Sequence, residues 1–397
     1  MEQALSDLNV VDLTHFIAGP YCTKLLADFG AEVIKVERPG QGDRTRAIGP
    51  FSQDDANPEK SGLFHYLNTN KKSITLNLES KSGAKIFQEL VKGADIVVEN
   101  FEPRVMPSLG LSYEVLKEIN PRLIMTSISN FGQTGPYRDY KATNLTMLAI
   151  GGALCLTGDK DHPFKLGGSQ AEYMAGLVAF IATLSALHGR DASGTGQYID
   201  LSIMEAVASN LEAAPISYTY MGVIRQREFN RFIYGHPYGI YPCKDGHIVV
   251  IPGLGGMPTL AILLEKPEYE DHPLFTDHRA RQERAEEFDA MMLPWLKEHD
   301  KQYIVELAQE LRMPFGPVQT TEELLEDPQL KAREFFAEVE HPVMGKLTCP
   351  GAPFKMSETP WQAGRAPLLG EHNEEIYGKR LGYTKDDLVR LREDEAI

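Results

Sequence analysis

The N-terminal third of the chain alternates between short apolar runs and amphipathic stretches. Runs with the length and composition of β-strands lie at 10–13, 32–37, 73–78, 95–99 and 123–128. The stretches between them that have helical periodicity are 22–29, 80–91 and 112–118. Ser80 is a suitable N-cap for the second of these helices. Strands and helices that alternate in such short units are typical of a parallel sheet with flanking helices.

A parallel sheet directs attention to the loops at the carboxyl ends of its strands, because ligands bind at that edge. Here those loops are 15–20, 38–43, 100–104 and 130–136. Further along the chain, residues 171–188 are apolar nearly all round, which predicts a buried helix. The glycine-rich stretch 189–196 predicts a turn directly after that helix.

The pattern of apolar and polar residues changes after about residue 225. The segment 238–251 has the pattern of a β-hairpin, and it predicts the start of a different sheet. Charged stretches with helical periodicity follow at 278–288 and 301–311. We therefore place a second, smaller domain at 226–315. Residues 316–397 are rich in proline and weakly periodic, so we expect them to return to the large domain that residues 1–225 begin.

The composition of the chain argues against several classes of protein. The 56 acidic residues outnumber the 40 basic ones and give a formal net charge of −16, so nucleic acid is a poor partner. The four cysteines form no CxxC pair, which argues against a disulfide framework. The N-terminus lacks a basic leader, and the apolar stretch 174–188 is too short to cross a bilayer. We expect a cytoplasmic protein that does not bind membranes.

Familiar catalytic motifs are absent from the sequence. It contains no GxGxxG, GxxxxGK[ST], GxSxG or HExxH, and we therefore disfavour a nicotinamide enzyme, a P-loop NTPase and an α/β-hydrolase. The histidines are scattered, so we expect no metal site.

A few residues could carry chemistry. Arg38 follows a strand and precedes a glycine-containing loop, and Lys71 and Lys72 precede another strand. Each could bind an anion or be a solvated surface cation. The loop 253–256 could approach a ligand or be a simple strand-to-helix turn. Glu172 begins the long apolar helix, where the dipole stabilises a carboxylate by about 0.3–1 kcal/mol whether it caps the helix or reacts.

Seven segments, in order along the chain, carry a resemblance to one family. They lie at 10–43, 67–78, 95–111, 132–140, 175–206, 314–330 and 366–388. In these segments the chain resembles the class III CoA-transferases, the family of formyl-CoA transferase and carnitine CoA-transferase, which also contains α-methylacyl-CoA racemase. The resemblance implies an α/β fold: a Rossmann-like large domain plus a smaller α+β domain, in an interlocked, ring-like dimer.

The resemblance also implies substrates and contacts. The substrates would be an acyl-CoA, with succinyl-CoA as the expected donor, and a carboxylic acid, for which we expect an aromatic or dicarboxylic acid; no metal would take part. The positions that correspond to the family's CoA contacts are His15, Ala18, Arg38, Leu67, Asn100, Phe101 and Lys141. Arg38 would meet the phosphates, which suits a guanidinium fork. A mobile glycine lid would correspond to Gly253, Gly255 and Gly256, here with a bulky Leu254 between them.

The family's nucleophile is an aspartate that attacks the acyl-CoA thioester, forms a mixed anhydride and then a CoA thioester with the enzyme. At that position the sequence has Glu172, one methylene longer. Either Glu172 is the nucleophile, or this chain is a non-catalytic subunit of a heteromer with an aspartate-bearing homologue. A racemase, less favoured, would need a histidine and an acid near Thr143 and Asn144, and neither is present.

Overall fold

The computed structural model describes residues 3–227, 235–253 and 256–397. Its strands are β1 (Asn9–Asp12), β2 (Glu32–Glu37), β3 (Lys72–Thr75), β4 (Ile96–Glu99), β5 (Ile124–Ser129), β6 (Tyr198–Ser202), β7 (Gly239–Cys243), β8 (Gly246–Val250), β9 (Gly316–Pro317), β10 (Phe336–His341) and β11 (Gly345–Pro350).

Its α-helices are α1 (Ala18–Asp28), α2 (Gly62–Leu67), α3 (Lys81–Val91), α4 (Val105–Ser108), α5 (Tyr113–Ile119), α6 (Asn144–Ile150), α7 (Ala153–Leu156), α8 (Gln170–Ser193), α9 (Ile203–Ser209), α10 (Ala214–Met221), α11 (Gly256–Leu263), α12 (Pro273–Thr276), α13 (His278–Glu283), α14 (Ala285–Glu298), α15 (Lys301–Glu310), α16 (Thr321–Glu326), α17 (Pro328–Ala332) and α18 (Lys385–Glu393). A π-helical segment covers Glu374–Arg380.

Within the described ranges, six strands form a wholly parallel sheet in the order β3-β2-β1-β4-β5-β6. The predicted parallel sheet is therefore confirmed. All four residues of the central strand β4 are buried, as expected for a sheet that helices cover on both faces. The strand order reverses between β1 and β4, and in open parallel sheets such a reversal leaves a crevice at the carboxyl ends.

Local sequence signals located most elements of this sheet. β2 occupies the predicted residues, and the Ser80 hydroxyl accepts a hydrogen bond from the Gly83 N–H at 2.9 Å, which caps α3. The predicted turn at 189–196 is wrong, because α8 continues to Ser193 and ends only where Gly194 adopts a left-handed conformation with φ of 77°. A single glycine such as Gly189 lowers helix stability by about 1 kcal/mol, which the rest of a 24-residue helix can offset.

The long helix α8 is also less buried than its composition predicts. One side is buried and contains Ala171, Ala175 and Ala179, whereas Leu177 and Ile181 are 46% and 55% exposed in the single chain. The expectation of burial all round is therefore wrong for one protomer. The 24-residue helix extends beyond the apolar stretch noted in the sequence, and by length and composition it could cross a membrane, as core helices of soluble proteins also could.

The described part of the chain divides into two compact units. The first comprises Met1–Ala153, Leu166–Ile216 and Ala332–Ile397, and the second comprises Leu154–Lys165 and Ser217–Lys331. The second unit thus includes the stretch 226–315 but is larger than it. The C-terminal segment joins the large sheet, since the His372 N–H donates to the Ser73 carbonyl at 2.9 Å and the buried Tyr377 hydroxyl donates to the Thr75 carbonyl at 2.7 Å.

The second unit has its own antiparallel sheet and core. β7 and β8 form the predicted hairpin, and β9 pairs with β8. Side chains of Ile248, Leu260 and Phe288 are fully buried in its core. The helix predicted at 278–288 is broken at Arg284, which separates α13 from α14.

Candidate active site

A cavity of about 400 Å³ lies over the carboxyl ends of β1 to β4, where the strand order reverses. Among its lining residues are His15, Arg38, Asn100 and Phe101, which the family resemblance had assigned to CoA. Two of them, His15 and Asn100, come from loops 85 positions apart in the chain. The structure therefore brings four of the seven proposed contacts together around one cavity.

The loop after β1 is held rigidly beside this cavity. The Asn100 side chain accepts a hydrogen bond from the His15 N–H at 2.9 Å and donates one to the His15 carbonyl at 2.7 Å. The His15 ring lies 5.4 Å from the Phe101 ring, and burial lowers the pKa of His15 to about 4. At neutral pH the cavity thus contains a neutral imidazole, and the Asn100 amide serves to hold the loop that carries it.

Two buried ion pairs support the same loop from within the sheet. Lys71 Nζ lies 3.0 Å from Asp12 Oδ2, and Lys35 Nζ lies 2.8 Å from Asp43 Oδ2, with all four side chains fully buried. Burial alone would raise the pKa of Asp12, but Lys71 and Lys35 outweigh it and hold that pKa at about 2. Lys35 also donates to the Thr14 carbonyl at 2.8 Å.

The suggested anion contact at the two consecutive lysines is wrong. Lys71 is enclosed by Asp12 and neighbouring oxygen atoms, and burial lowers its pKa to about 8. Lys72 contacts Glu32 at 2.6 Å and Glu375 at 2.8 Å. Neither ammonium group is free for a ligand.

Cations do lie at the rim of the cavity. The Arg38 guanidinium is largely exposed. Its ion-pair partner is the exposed Glu79, and the contact between them is long, at 3.4 Å. Arg44, which the sequence analysis did not single out, also lines the cavity and makes no ion pair within the described residues. Lys141 pairs with Glu102, another lining residue, and is otherwise exposed. A phosphate group entering here would meet two exposed guanidinium groups, of which Arg38 is held only by a long contact to Glu79.

The remaining predicted contacts lie away from the cavity lining. Leu67 is completely buried at the end of α2. Ala18 is buried at the start of α1, and its carbonyl lies so close to Gly176 of α8 that a Cβ there would be 2.6 Å away. In the predicted lid, Gly253 and Gly256 both have φ of 66°, while Leu254 and Gly255 lie outside the described residues.

Glu172 lies in the first turn of α8 and is buried. Its Oε2 atom has no hydrogen-bond partner among the residues that the structure describes, and burial raises the pKa of this carboxyl to about 7. Near the other end of α8, Arg190 contacts Asp95 at 2.9 Å, directly before β4 begins. α8 therefore runs antiparallel to the strands, and Glu172 lies at the same edge of the sheet as the cavity.

Two further residues near this edge have contacts that the sequence analysis did not predict. Glu99 at the end of β4 is buried, which raises its pKa to about 7, and it accepts a hydrogen bond from the Phe101 N–H at 2.8 Å. Asn144 accepts one from the Ala171 N–H at 3.0 Å, directly before Glu172. The capping residues Thr143 and Thr146 could have placed Asn144 at the start of a helix. No local signal in the sequence predicts the partner of Asn144 or the burial of Glu99.

Comparison with known proteins places the chain among transferases. Residues 5–373 match the sequence profile of CoA-transferase family III. The succinyl-CoA–D-citramalate CoA-transferase of Chloroflexus aurantiacus is 37% identical over 99% of this chain and 98% of its own length. The succinyl-CoA:mesaconate CoA-transferase of Haloarcula marismortui is 36% identical, over 94% of this chain and 95% of its own. The crystal structure of a CAIB/BAIF family protein from Brucella suis, 31% identical, matches with a TM-score of 0.87 and covers 96% of this chain and 100% of that one.

Proposed function

The chain belongs to CoA-transferase family III, and on that premise we propose that it transfers CoA from succinyl-CoA to a small dicarboxylic acid, with Glu172 as the nucleophile. The observation that carries the proposal is the buried Glu172 carboxyl, whose Oε2 has no hydrogen-bond partner among the described residues and which lies at the same sheet edge as the cavity. The names of the two relatives, which use succinyl-CoA with citramalate or mesaconate, support this choice of donor and acceptor.

The first half of the reaction loads CoA onto the enzyme. The ionised Glu172 carboxylate attacks the thioester carbonyl of succinyl-CoA, the C–S bond breaks, and CoA leaves as a thiolate. The thiolate then attacks the Glu172 carbonyl of the mixed anhydride, which releases succinate and leaves CoA joined to the enzyme as a thioester. Burial leaves this carboxylate poorly solvated and more basic than usual, which favours attack once it is ionised.

The second half reverses these steps with another acid. The acceptor carboxylate attacks the Glu172 thioester, and CoA thiolate leaves again. The thiolate attacks the acceptor carbonyl of the new anhydride, so acceptor-CoA forms and the Glu172 carboxylate is regenerated. Throughout, Arg38 and Arg44 at the cavity rim would hold the phosphates, and the neutral His15 imidazole would line the same cavity.

The proposed assembly is a homodimer of interlocked chains. It is supported by the apolar side of α8 that one protomer leaves exposed, including Leu177, Val178 and Ile181. Apolar patches of this kind in a single chain are typical of obligate interfaces. A second candidate is a heteromer in which this chain is non-catalytic, and the observation that favours it is the glutamate at the family's aspartate position.

The test is to purify the chain alone and assay it with succinyl-CoA and citramalate, mesaconate or related acids. We expect activity, and mass spectrometry after hydroxylamine treatment should find a hydroxamate on Glu172. Glu172→Gln should lower kcat by about 10³-fold or more, because the amide cannot form the anhydride. Glu114→Gln, which alters an exposed first-turn acid of α5, is the matched control.

The opposite results would support the second candidate. If the chain alone is inactive and forms no adduct at Glu172, but an aspartate-bearing homologue restores activity in a mixed complex, the chain is the non-catalytic subunit. A racemase is not proposed, because Thr143 and Asn144 at the expected acid–base positions are engaged as helix caps.

A further inference from the structure

The side chain of Asn144 links the start of one helix to the segment that carries Glu172. We propose that Asn144 is a positioning residue for the Glu172 nucleophile, an inference that rests on the proposed function. Its Oδ1 accepts a hydrogen bond from the Ala171 N–H at 3.0 Å, and its Nδ2 donates to the Gly168 carbonyl at 3.3 Å. One amide thus fixes the backbone on both sides of the point where α8 begins.

α8 needs this contact because its own N-cap does not provide one. The side chain of Ser169, the N-cap residue, makes no capping hydrogen bond. The first N–H groups of a helix lack intrahelical acceptors, and the Ala171 N–H is one of them. Asn144 supplies that acceptor from a different helix, 27 positions earlier in the chain. The position of Glu172 is consequently set by α6 and not only by α8.

α6 is suited to hold the amide still. Thr143 caps it through a reciprocal pair of contacts with Thr146, which fixes the conformation of the residue directly before Asn144. Met147 and Leu148 of the same helix are buried, with exposed fractions of 1% and 0%. Asn144 therefore projects from an anchored helix, and its two polar atoms both meet the 168–171 backbone.

Positioning matters here because the nucleophile is a glutamate. The glutamate side chain has one more rotatable bond than that of aspartate. The backbone that carries it must therefore be held more firmly if a carboxylate oxygen is to reach the thioester carbon. A misplacement of about 1 Å can cost about 10²-fold in rate. Replacing Asn144 with aspartate would keep the acceptor for Ala171 but lose the donor to Gly168 and add a negative charge beside Glu172.

The test compares Asn144→Ala and Asn144→Asp with Asn120→Ala. Asn120 is a matched control, because its Nδ2 also donates to backbone carbonyls, those of Val91 at 3.1 Å and Ala94 at 2.7 Å. These carbonyls lie shortly before β4 begins, at the opposite edge of the sheet from Glu172. Each variant is assayed for its melting temperature, its KM for succinyl-CoA and the single-turnover rate at which Glu172 becomes acylated.

We expect both Asn144 variants to acylate Glu172 about 10- to 100-fold more slowly, with KM for succinyl-CoA changed less than about 3-fold. Asn120→Ala should lower the melting temperature similarly and leave the acylation rate unchanged. The inference is overturned if the Asn144 variants acylate at the wild-type rate, or if Asn120→Ala slows acylation as much. A wild-type enzyme that acylates some other residue would instead overturn the proposed function and this inference together.

Discussion

Glu99 and Glu172 lie at the edge of the sheet where its strands end. Burial raises the pKa of both side chains, and no cation among the causes of these shifts offsets it. Asp12 and Asp43 are buried at the same edge, yet Lys71 and Lys35 keep their pKa values below the usual range. Glu99 and Glu172 can therefore gain and lose a proton near neutral pH, whereas Asp12 and Asp43 stay ionised because a lysine lies beside each of them. Sequence alone identified the Glu172 position through the family resemblance, but it could not assign these environments.

The pH dependence of acylation follows from the Glu172 environment. Only the carboxylate is nucleophilic, and burial raises its pKa to about 7, so the acylation rate should rise with pH through about 7 and then level off. Single-turnover acylation by succinyl-CoA, followed from pH 5.5 to about 8.5, measures this limb. A rate that is already maximal at pH 5.5 would contradict the assignment of Glu172 as a buried, isolated acid.

At the scale of elements, the close approach of α1 and α8 connects the loop beside the cavity to Glu172, the proposed nucleophile. The Ala18 carbonyl abuts Gly176, one turn after Glu172, and the Tyr21 ring lies 4.9 Å from the Tyr173 ring. α1 begins directly after the loop that holds His15. Any change in the spacing of these helices therefore moves Glu172 relative to the cavity over β1 to β4.

Gly176→Ala tests this packing. The added Cβ would lie 2.6 Å from the Ala18 carbonyl oxygen, so the helices must separate, and we expect a loss of about 1–3 kcal/mol in the free energy of unfolding with slower acylation. Urea-unfolding midpoints and the acylation rate measure the two effects.

Gly189→Ala on the same helix is the matched control. Its new Cβ would find only the Gln197 amide at 3.7 Å, so helix propensity should stabilise the protein by about 0.5–1 kcal/mol with unchanged activity. If Gly176→Ala and Gly189→Ala change the unfolding midpoint and the acylation rate equally, the contact at Gly176 does not set the distance between α1 and α8.

At the scale of the whole molecule, the chain leaves and re-enters its large unit. Residues from Ala332 onward return to that unit, and their contacts include the Asn373 side chain, which accepts from the Thr75 N–H at 2.9 Å. The assignment of 316–397 as a return segment stays a prediction, and these contacts agree with it. In the single chain α8 keeps an exposed apolar side, so one chain does not cover all of its apolar surface.

Ile181→Glu tests whether a second copy covers that side. Ile181 is 55% exposed on α8, and a charge there should prevent dimerisation, so sedimentation velocity should find a monomer where the wild type is a dimer. Val389→Glu on α18, at a position 49% exposed, should leave the dimer intact. A wild type that sediments as a monomer, or an Ile181→Glu variant that stays dimeric, would contradict the proposed interface.

The sequence by itself determined the parallel α/β layering, the cap at Ser80 and the family, because these depend on periodicity and on residues close together in the chain. Only the tertiary structure decided that Lys71 pairs with Asp12, 59 positions away, and that Asn144 caps α8. It also decided that α8 keeps an exposed apolar side. Such contacts join distant residues, and the charge state and partner of a buried polar group depend on neighbours that local pattern cannot identify.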